Sequence, residues 1–188
     1  MSRKTTPMLA ATAFAVLLLA DAPAFAGTVT KTFNATASVA AKCVMSNVAN
    51  LDFGSYDPVV TNAGADLPGS TSFTLTCTKG ASATISMSLG NANFGGNLAA
   101  KRSMNNGTAT AGNYLSYDLY LPSAVGAAGG GVTATASLWG DGTSGTVTYS
   151  PSVPSVAAQT ITIFGAVTAG QDVPVGSYTD SVTATVNF

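Results

Sequence analysis

The sequence predicts an all-β protein, a sandwich or barrel of short strands, on three observations. Only 8% of the 188 residues are charged, while 46% are apolar. Thr, Ser, Ala, Val and Gly dominate, a composition that suits strands and turns better than helices. Apolar residues recur at every second position, and no helical period persists beyond the first segment. The length fits one domain. The same composition excludes much chemistry. With no His and no Glu, the chain can build no His-based triad, no His metal site and no Glu acid/base pair. A net charge of −1 and a pI near 4.9 supply no basic face for nucleic acid. The many serines lack a His to activate them, and a Ser–Lys dyad with Lys42, Lys79 or Lys101 is the remaining nucleophilic arrangement. The chain reads as a non-enzyme that needs no cofactor.

Residues 1–26 read as a signal peptide. Arg3 and Lys4 give a positive start, and Met8 to Ala20 is a nearly unbroken apolar stretch. It is shorter than the roughly 18 residues a membrane span needs. Ala24-Phe25-Ala26 supplies the small-x-small cleavage pattern, which places the mature start at Gly27. Export has a consequence for Cys43 and Cys77, the only cysteines. They allow a single intramolecular pairing, and an oxidising compartment makes a disulfide the default. Closing that loop stabilises by roughly 4 kcal/mol in the chain-entropy model.

The strands follow in order. Phe73, Leu75 and Cys77 alternate with Ser72, Thr74, Thr76 and Thr78, which turns Cys77 inward. Ala81, Ala83, Ile85, Met87 and Leu89 alternate with four Ser or Thr residues. Leu115, Tyr117, Leu119 and Leu121 define another face. Ile161, Ile163 and Val167 define the next, with Gly165 as a bulge or point of close approach. Tyr178, Val182, Ala184, Val186 and Phe188 make the last. Turn signals separate them at Tyr56-Asp57-Pro58, Gly95-Gly96-Asn97, Asn105-Asn106-Gly107, Gly140-Asp141-Gly142 and Val173-Pro174, and Gly129-Gly130-Gly131 marks a long loop.

One alternating segment does not fit its own domain. From Thr28 to Lys42 the period of two is unbroken, with Val29, Lys31, Phe33, Ala35, Ala37 and Val39 on one face. Fully extended it would span roughly 50 Å, against about 17–20 Å for a typical strand. No Gly or Pro interrupts it to make a bend. At the other end the sequence stops at Phe188 inside a strand pattern. A strand to spare at one end and one lacking at the other suggest head-to-tail assembly by strand addition. Ile85, Ile163 and Val186 are expected to face the opening that the lacking strand leaves.

These residues resemble the Spore Coat Protein U domain family, and more particularly the subunits of archaic, Csu-type chaperone–usher pili. The resemblance rests on Cys43, Leu51-Asp52-Phe53-Gly54-Ser55-Tyr56, Thr74-Leu75-Thr76-Cys77-Thr78-Lys79-Gly80 and Tyr114-Leu115-Ser116-Tyr117-Asp118-Leu119-Tyr120. It continues through Trp139-Gly140-Asp141-Gly142, Phe164-Gly165 and Gln171-Asp172-Val173-Pro174-Val175-Gly176-Ser177-Tyr178-Thr179-Asp180. It implies an immunoglobulin-like β-sandwich, incomplete because its last strand is lacking, with an N-terminal donor strand extension. It implies a periplasmic chaperone that lends a strand, an outer-membrane usher, and a head-to-tail polymer of this chain or related pilins on the cell surface, serving adhesion and biofilm formation. On that reading residues 27–37 are the donor strand and 38–188 the pilin domain, and Val29, Phe33, Ala35, Ala37 and Val39 are the partner-binding residues. Lys31 departs from an ideal donor face, although a lysine near a strand end can snorkel.

Two other readings compete. The chain could be a secreted coat protein that assembles without an usher, or a carbohydrate-binding surface module that uses Trp139. Asp52 and Asp57 could contribute to a carboxylate metal loop, but a strand-to-turn segment with Phe53 buried is the simpler reading.

Overall fold

A computed structural model describes residues 26–90, 102–108, 112–122, 137–152 and 154–188. Residues 1–25 of the segment read as a signal peptide, the expected Gly95 turn, Lys101 and the expected Gly129 loop lie outside the described residues. The chain divides into two compact units, Met1–Ala37 and Ser38–Phe188. In the first unit, residues 26–37 carry no strand or helix and are exposed throughout.

Among its described residues the second unit is built from strands: β1 (Cys43–Met45), β2 (Leu67–Cys77), β3 (Thr84–Met87), β4 (Arg102–Asn105), β5 (Tyr114–Tyr120), β6 (Gln159–Val167) and β7 (Ala184–Asn187). They form two sheets, one in the order β1-β2-β6-β5-β4 and the other pairing β3 with β7, and every strand pair is antiparallel. The period of two places the core. Phe73, Leu75 and Cys77 of β2, Leu115, Tyr117 and Leu119 of β5, and Ile161, Ile163 and Val167 of β6 are buried on one face of the larger sheet. Ile85 and Met87 of β3 meet them from the smaller sheet, in one continuous cluster.

Some elements are shorter than their alternation. The pattern over 81–89 pairs only at β3, although Ala81 and Ala83 stay buried on the expected face. The pattern over 178–188 pairs with β3 only along β7. Phe188, expected on the inward face, is 56% exposed because the pairing register stops at Asn187. In the other direction, β2 runs on through Pro68 and Gly69 because β6 continues to pair with it to Val167.

Cys43 and Cys77 stand opposite each other across β1 and β2 and are joined by a disulfide, with their Cα atoms 4.1 Å apart. The bond fixes the inner end of the alternating N-terminal segment to a core strand. Trp139 is fully enclosed. Its indole Nε1 donates to the Ile85 carbonyl at 3.0 Å, and its ring meets Tyr149 edge-on at 5.5 Å. A tryptophan held this way has no face to offer a sugar.

Candidate functional site

Among the described residues the smaller sheet has two strands facing five, which leaves part of the inner face of its partner uncovered by strands. Part of the remainder is covered by a segment that is not a strand. Residues 48–56 cross the inner face, with Leu51 and Phe53 half-buried and turned inward while Asp52 faces out. They fit because Gly69 and Gly165 are paired across β2 and β6. A Cβ at Gly69 would stand 2.8 Å from Phe53 Cδ1, and one at Gly165 would stand 2.9 Å from Leu51 Cδ2 and Phe53 Cζ. Phe53 then meets Tyr117 edge-on, with ring centroids 5.8 Å apart. Across from this segment runs 178–187, with Tyr178, Asp180, Val182, Ala184 and Val186 turned inward and the residues between them exposed.

Between these two segments lies an open groove. It is made of two cavities of about 620 and 580 Å³ that share Leu51, Asp52, Phe53, Met104 and Tyr178 in their linings. Met87, Tyr117, Leu119 and Ile163 line the second cavity and Leu115 and Val167 the first. Of the three residues expected to face the opening, Ile163 lines it. Ile85 is instead sealed between the layers, and Val186 is half-buried outside either lining.

The walls of the groove are held in place. Tyr56 Oη donates to the Thr168 carbonyl at 3.0 Å and accepts from Gln171 N at 2.8 Å. The Gln171 amide in turn bonds both the N–H and the carbonyl of Ser116, imitating a strand partner. Thr71 Oγ1 donates to the Ala49 carbonyl. The opposite wall is tied by paired main-chain bonds between Asn105 and Thr179 and by the pairing of β7 with β3. Among the described residues, no main-chain hydrogen bond joins 48–56 to 178–187. The opening therefore has the place of a strand in the smaller layer, between β7 and the 48–56 segment.

Beneath this groove lies a buried cation that the sequence reading missed. Arg102 is fully enclosed. Its Nε donates to the Ser88 carbonyl at 2.8 Å, and its Nη2 donates to the carbonyls of Trp139 at 2.7 Å and Met87 at 3.4 Å. It thereby ties β4 of one sheet to the end of β3 in the other. Loss of solvent lowers its pKa, against the influence of Tyr117, Asp118, Asp180 and Asp141. Asp180 reaches the groove as well: Tyr117 Oη donates to its Oδ2 at 2.7 Å. Gly90 leaves the space, since a Cβ there would overlap this carboxylate. Only the alternation around 178–186 could have pointed to Asp180, as a charge on an inward face.

The residues expected to bind a partner are exposed: Val29 is 85%, Phe33 89% and Val39 84% accessible. Among the described residues, no hydrogen bond engages 26–39. Asp52 and Asp57 are occupied with their own turns. Asp52 Oδ1 accepts from Gly54 N, and Asp57 accepts from the N–H groups of Val59, Val60 and Thr61, which hold its carboxyl below the usual range.

Comparison with known proteins gives three findings. The Spore Coat Protein U domain family matches residues 29–185. "Protein U" of Myxococcus xanthus is 37% identical over 187 residues, covering 96% of each chain. A solved chaperone–tip adhesion subunit pre-assembly complex from the archaic chaperone–usher Csu pili of Acinetobacter baumannii contains a chain with the same fold. The match has a TM-score of 0.52 and 20% identity over 80% of this chain. This chain spans about two fifths of the length of that one, 40%. The architecture is thus an immunoglobulin-like sandwich that lacks a strand.

Proposed function

Because the chain belongs to the Spore Coat Protein U domain family, we propose that it is an exported structural subunit, a pilin, that polymerises head to tail by donating its N-terminal strand. The observation that carries this reading is the pairing of an open groove on the inner face with an alternating segment that, among the described residues, has no strand partner of its own. Residues 27–39 of one copy enter the groove of the next, between 48–56 and 178–187. Val29, Phe33, Ala35, Ala37 and Val39 face the floor, and the donated backbone bonds to the free edges beside it. A contact of this kind is heterologous and does not close on itself, so it builds a fibre.

An open groove above apolar residues is a liability in a free subunit. A periplasmic chaperone covers it until an outer-membrane usher exchanges the cover for the next subunit's strand. The fibre stands on the cell surface and serves adhesion and biofilm formation. Its role is structural rather than catalytic: Asp52, Asp57, Asp141 and Tyr56 spend their polar atoms on turns and walls. The family's description as a spore coat protein domain supports a second reading, in which the same strand donation builds a coat on the cell without an usher.

The test is deletion of residues 27–35. The truncated subunit should still co-purify with its chaperone, because the groove is intact, yet form no polymer. Normal fibres from the truncated chain would end the strand-donation reading. Polymer that still reaches the surface of a strain lacking the usher would favour the coat.

A further inference from the structure

We propose that one mouth of the groove, where Val59, Val60 and Val175 stand exposed, is a second interface, and that its occupant is the body of the copy whose strand fills the groove. The inference rests on the strand-donation reading and adds to it a contact between the two folded domains. The groove has two ends. Val48 and Ala184 line it at one, and Pro58 and Val175 at the other. At this second end the apolar tips sit on fixed turns. Asp57 accepts from the N–H groups of Val59 and Val60, and Tyr178 Oη donates to the Pro174 carbonyl at 2.7 Å. Val175 is 100% exposed and Val59 82%. A single exposed valine needs no explanation, but three on two turns that flank one opening form a patch.

Two observations name the occupant. The first is the reach of the chain. Among the described residues, the edge of β7 away from β3 carries no main-chain hydrogen bond. Every strand pair of the domain is antiparallel, the more stable arrangement per residue. A strand antiparallel to 178–187 starts beside Ala184 and leaves past Tyr178, so Val39 stands at the mouth. The donor's own body begins there at once. Thr78 Oγ1 donates to the Ala40 carbonyl at 3.2 Å, and Thr78 N donates to the Lys42 carbonyl at 2.8 Å. Cys43, held by its disulfide to Cys77, follows Val39 by about 13 Å of fully extended chain. The donating body therefore cannot stand clear of the mouth. The second observation is charge. The turns around the mouth, residues 54–67 and 168–180, contain four Asp and no Lys or Arg, and Asp66 and Asp172 are exposed. On the donating body Lys42 and Lys79 are exposed beside Thr78, and residues 38–47 and 74–82 contain no carboxylate. Val156 is exposed next to them, following Ser155, whose carbonyl accepts from Cys77 N. A cationic face with an apolar tip thus meets an acidic mouth with three, and complementary charge fixes how the two bodies are turned.

The test uses the natural polymer. Carbodiimide joins a lysine to a carboxylate only where the two are in contact. Treated fibres should yield, by mass spectrometry, intermolecular peptides that link Lys42 or Lys79 to Asp66 or Asp172, and the chaperone-bound subunit should yield none. A second arm measures stiffness. The double variant Val59→Lys, Val60→Lys removes two apolar tips and sets new cations against Lys42 and Lys79. It should co-purify with the chaperone and polymerise, since the groove lining and residues 27–39 are untouched. Its fibres should lose the Lys42 and Lys79 links and show a shorter persistence length by electron microscopy. Fibres of natural stiffness from this variant would overturn the contact and leave strand donation standing. Natural fibres in which both lysines stay unlinked, or join carboxylates elsewhere, would do the same. Polymer from the chain lacking 27–35 would refute strand donation itself, and this contact with it.

Discussion

Gly69 faces Gly165 across β2 and β6, and the hollow the two leave on the inner surface holds Leu51 and Phe53. One wall of the groove is therefore seated on the absence of two side chains. Gly165→Ala should destabilise the subunit by about 1–3 kcal/mol, the usual cost of overpacking. The gain expected from replacing a flexible strand glycine should not appear, since the new Cβ would stand 2.9 Å from Leu51 Cδ2 and Phe53 Cζ and force both side chains to shift. Leu51→Ala should recover part of the loss, because neighbouring substitutions are not additive. Denaturant midpoints of the polymer for the two single variants and the double variant check this, and strict additivity would refute it.

Phe33 is 89% exposed in the single chain, and its burial by a neighbour should stabilise the junction by roughly 1.5–3 kcal/mol. Phe33→Ala should weaken polymers measurably, and Phe33→Asp should prevent them by setting a charge in an apolar pocket. Chaperone co-purification should be unchanged in both. Fibres of natural stability from Phe33→Asp would place this side chain outside the groove.

The Cys43–Cys77 disulfide spans a sequence separation of 34, for which the chain-entropy model gives about 4 kcal/mol. Cys43→Ser should cut the yield of chaperone-bound subunit sharply, because a few kcal/mol is a large share of a domain's stability. Non-reducing mass spectrometry of the natural protein should find the two cysteines linked to each other, and two free thiols would contradict the structure.

Trp139 should prove to be a core residue. Trp139→Ala should cost about 3–5 kcal/mol through the cavity it leaves. Trp139→Phe should cost less, about 1 kcal/mol for the lost bond to the Ile85 carbonyl plus a smaller void. Glycan arrays with the natural polymer and Trp139→Phe should give the same profile. A glycan bound only by the natural chain would restore the tryptophan as a contact residue.

Alkaline pH should loosen the domain. Burial first, and then the Asp118 and Asp66 carboxylates, push the Tyr120 phenol up to about 12. Burial and its bond to Asp180 push Tyr117 higher still. The folded state thus favours the protonated phenols. Their contribution is complete below the ordinary tyrosine value of about 10 and is lost as the pH rises through the folded value. Polymer stability should fall between about pH 10 and 12, and Tyr120→Phe should flatten that fall. A pH-independent midpoint across this window would refute the assignment.

The period of two in the sequence determined which residues face the core. Phe73, Leu75, Leu115, Leu119, Ile161 and Ile163 are where their alternation with Ser and Thr puts them, because a pleated strand with one dry face admits no other placement. The same period marked 28–42 as a segment with a face and no place for it. What the sequence did not determine was which alternating stretches find a partner. The pattern over 81–89 forms a strand only along β3, and the one over 178–188 only along β7 with a lone bridge at Thr179, since pairing depends on a neighbouring edge that local pattern does not contain. The groove wall was likewise illegible. Leu51 and Phe53 form it because β2 and β6 bring Gly69 and Gly165 together from positions far apart in the chain. Arg102 carries no local mark of its burial and Asp180 only its place in an alternating stretch, and it was the closing of the two sheets around them that buried one and aimed the other into the groove.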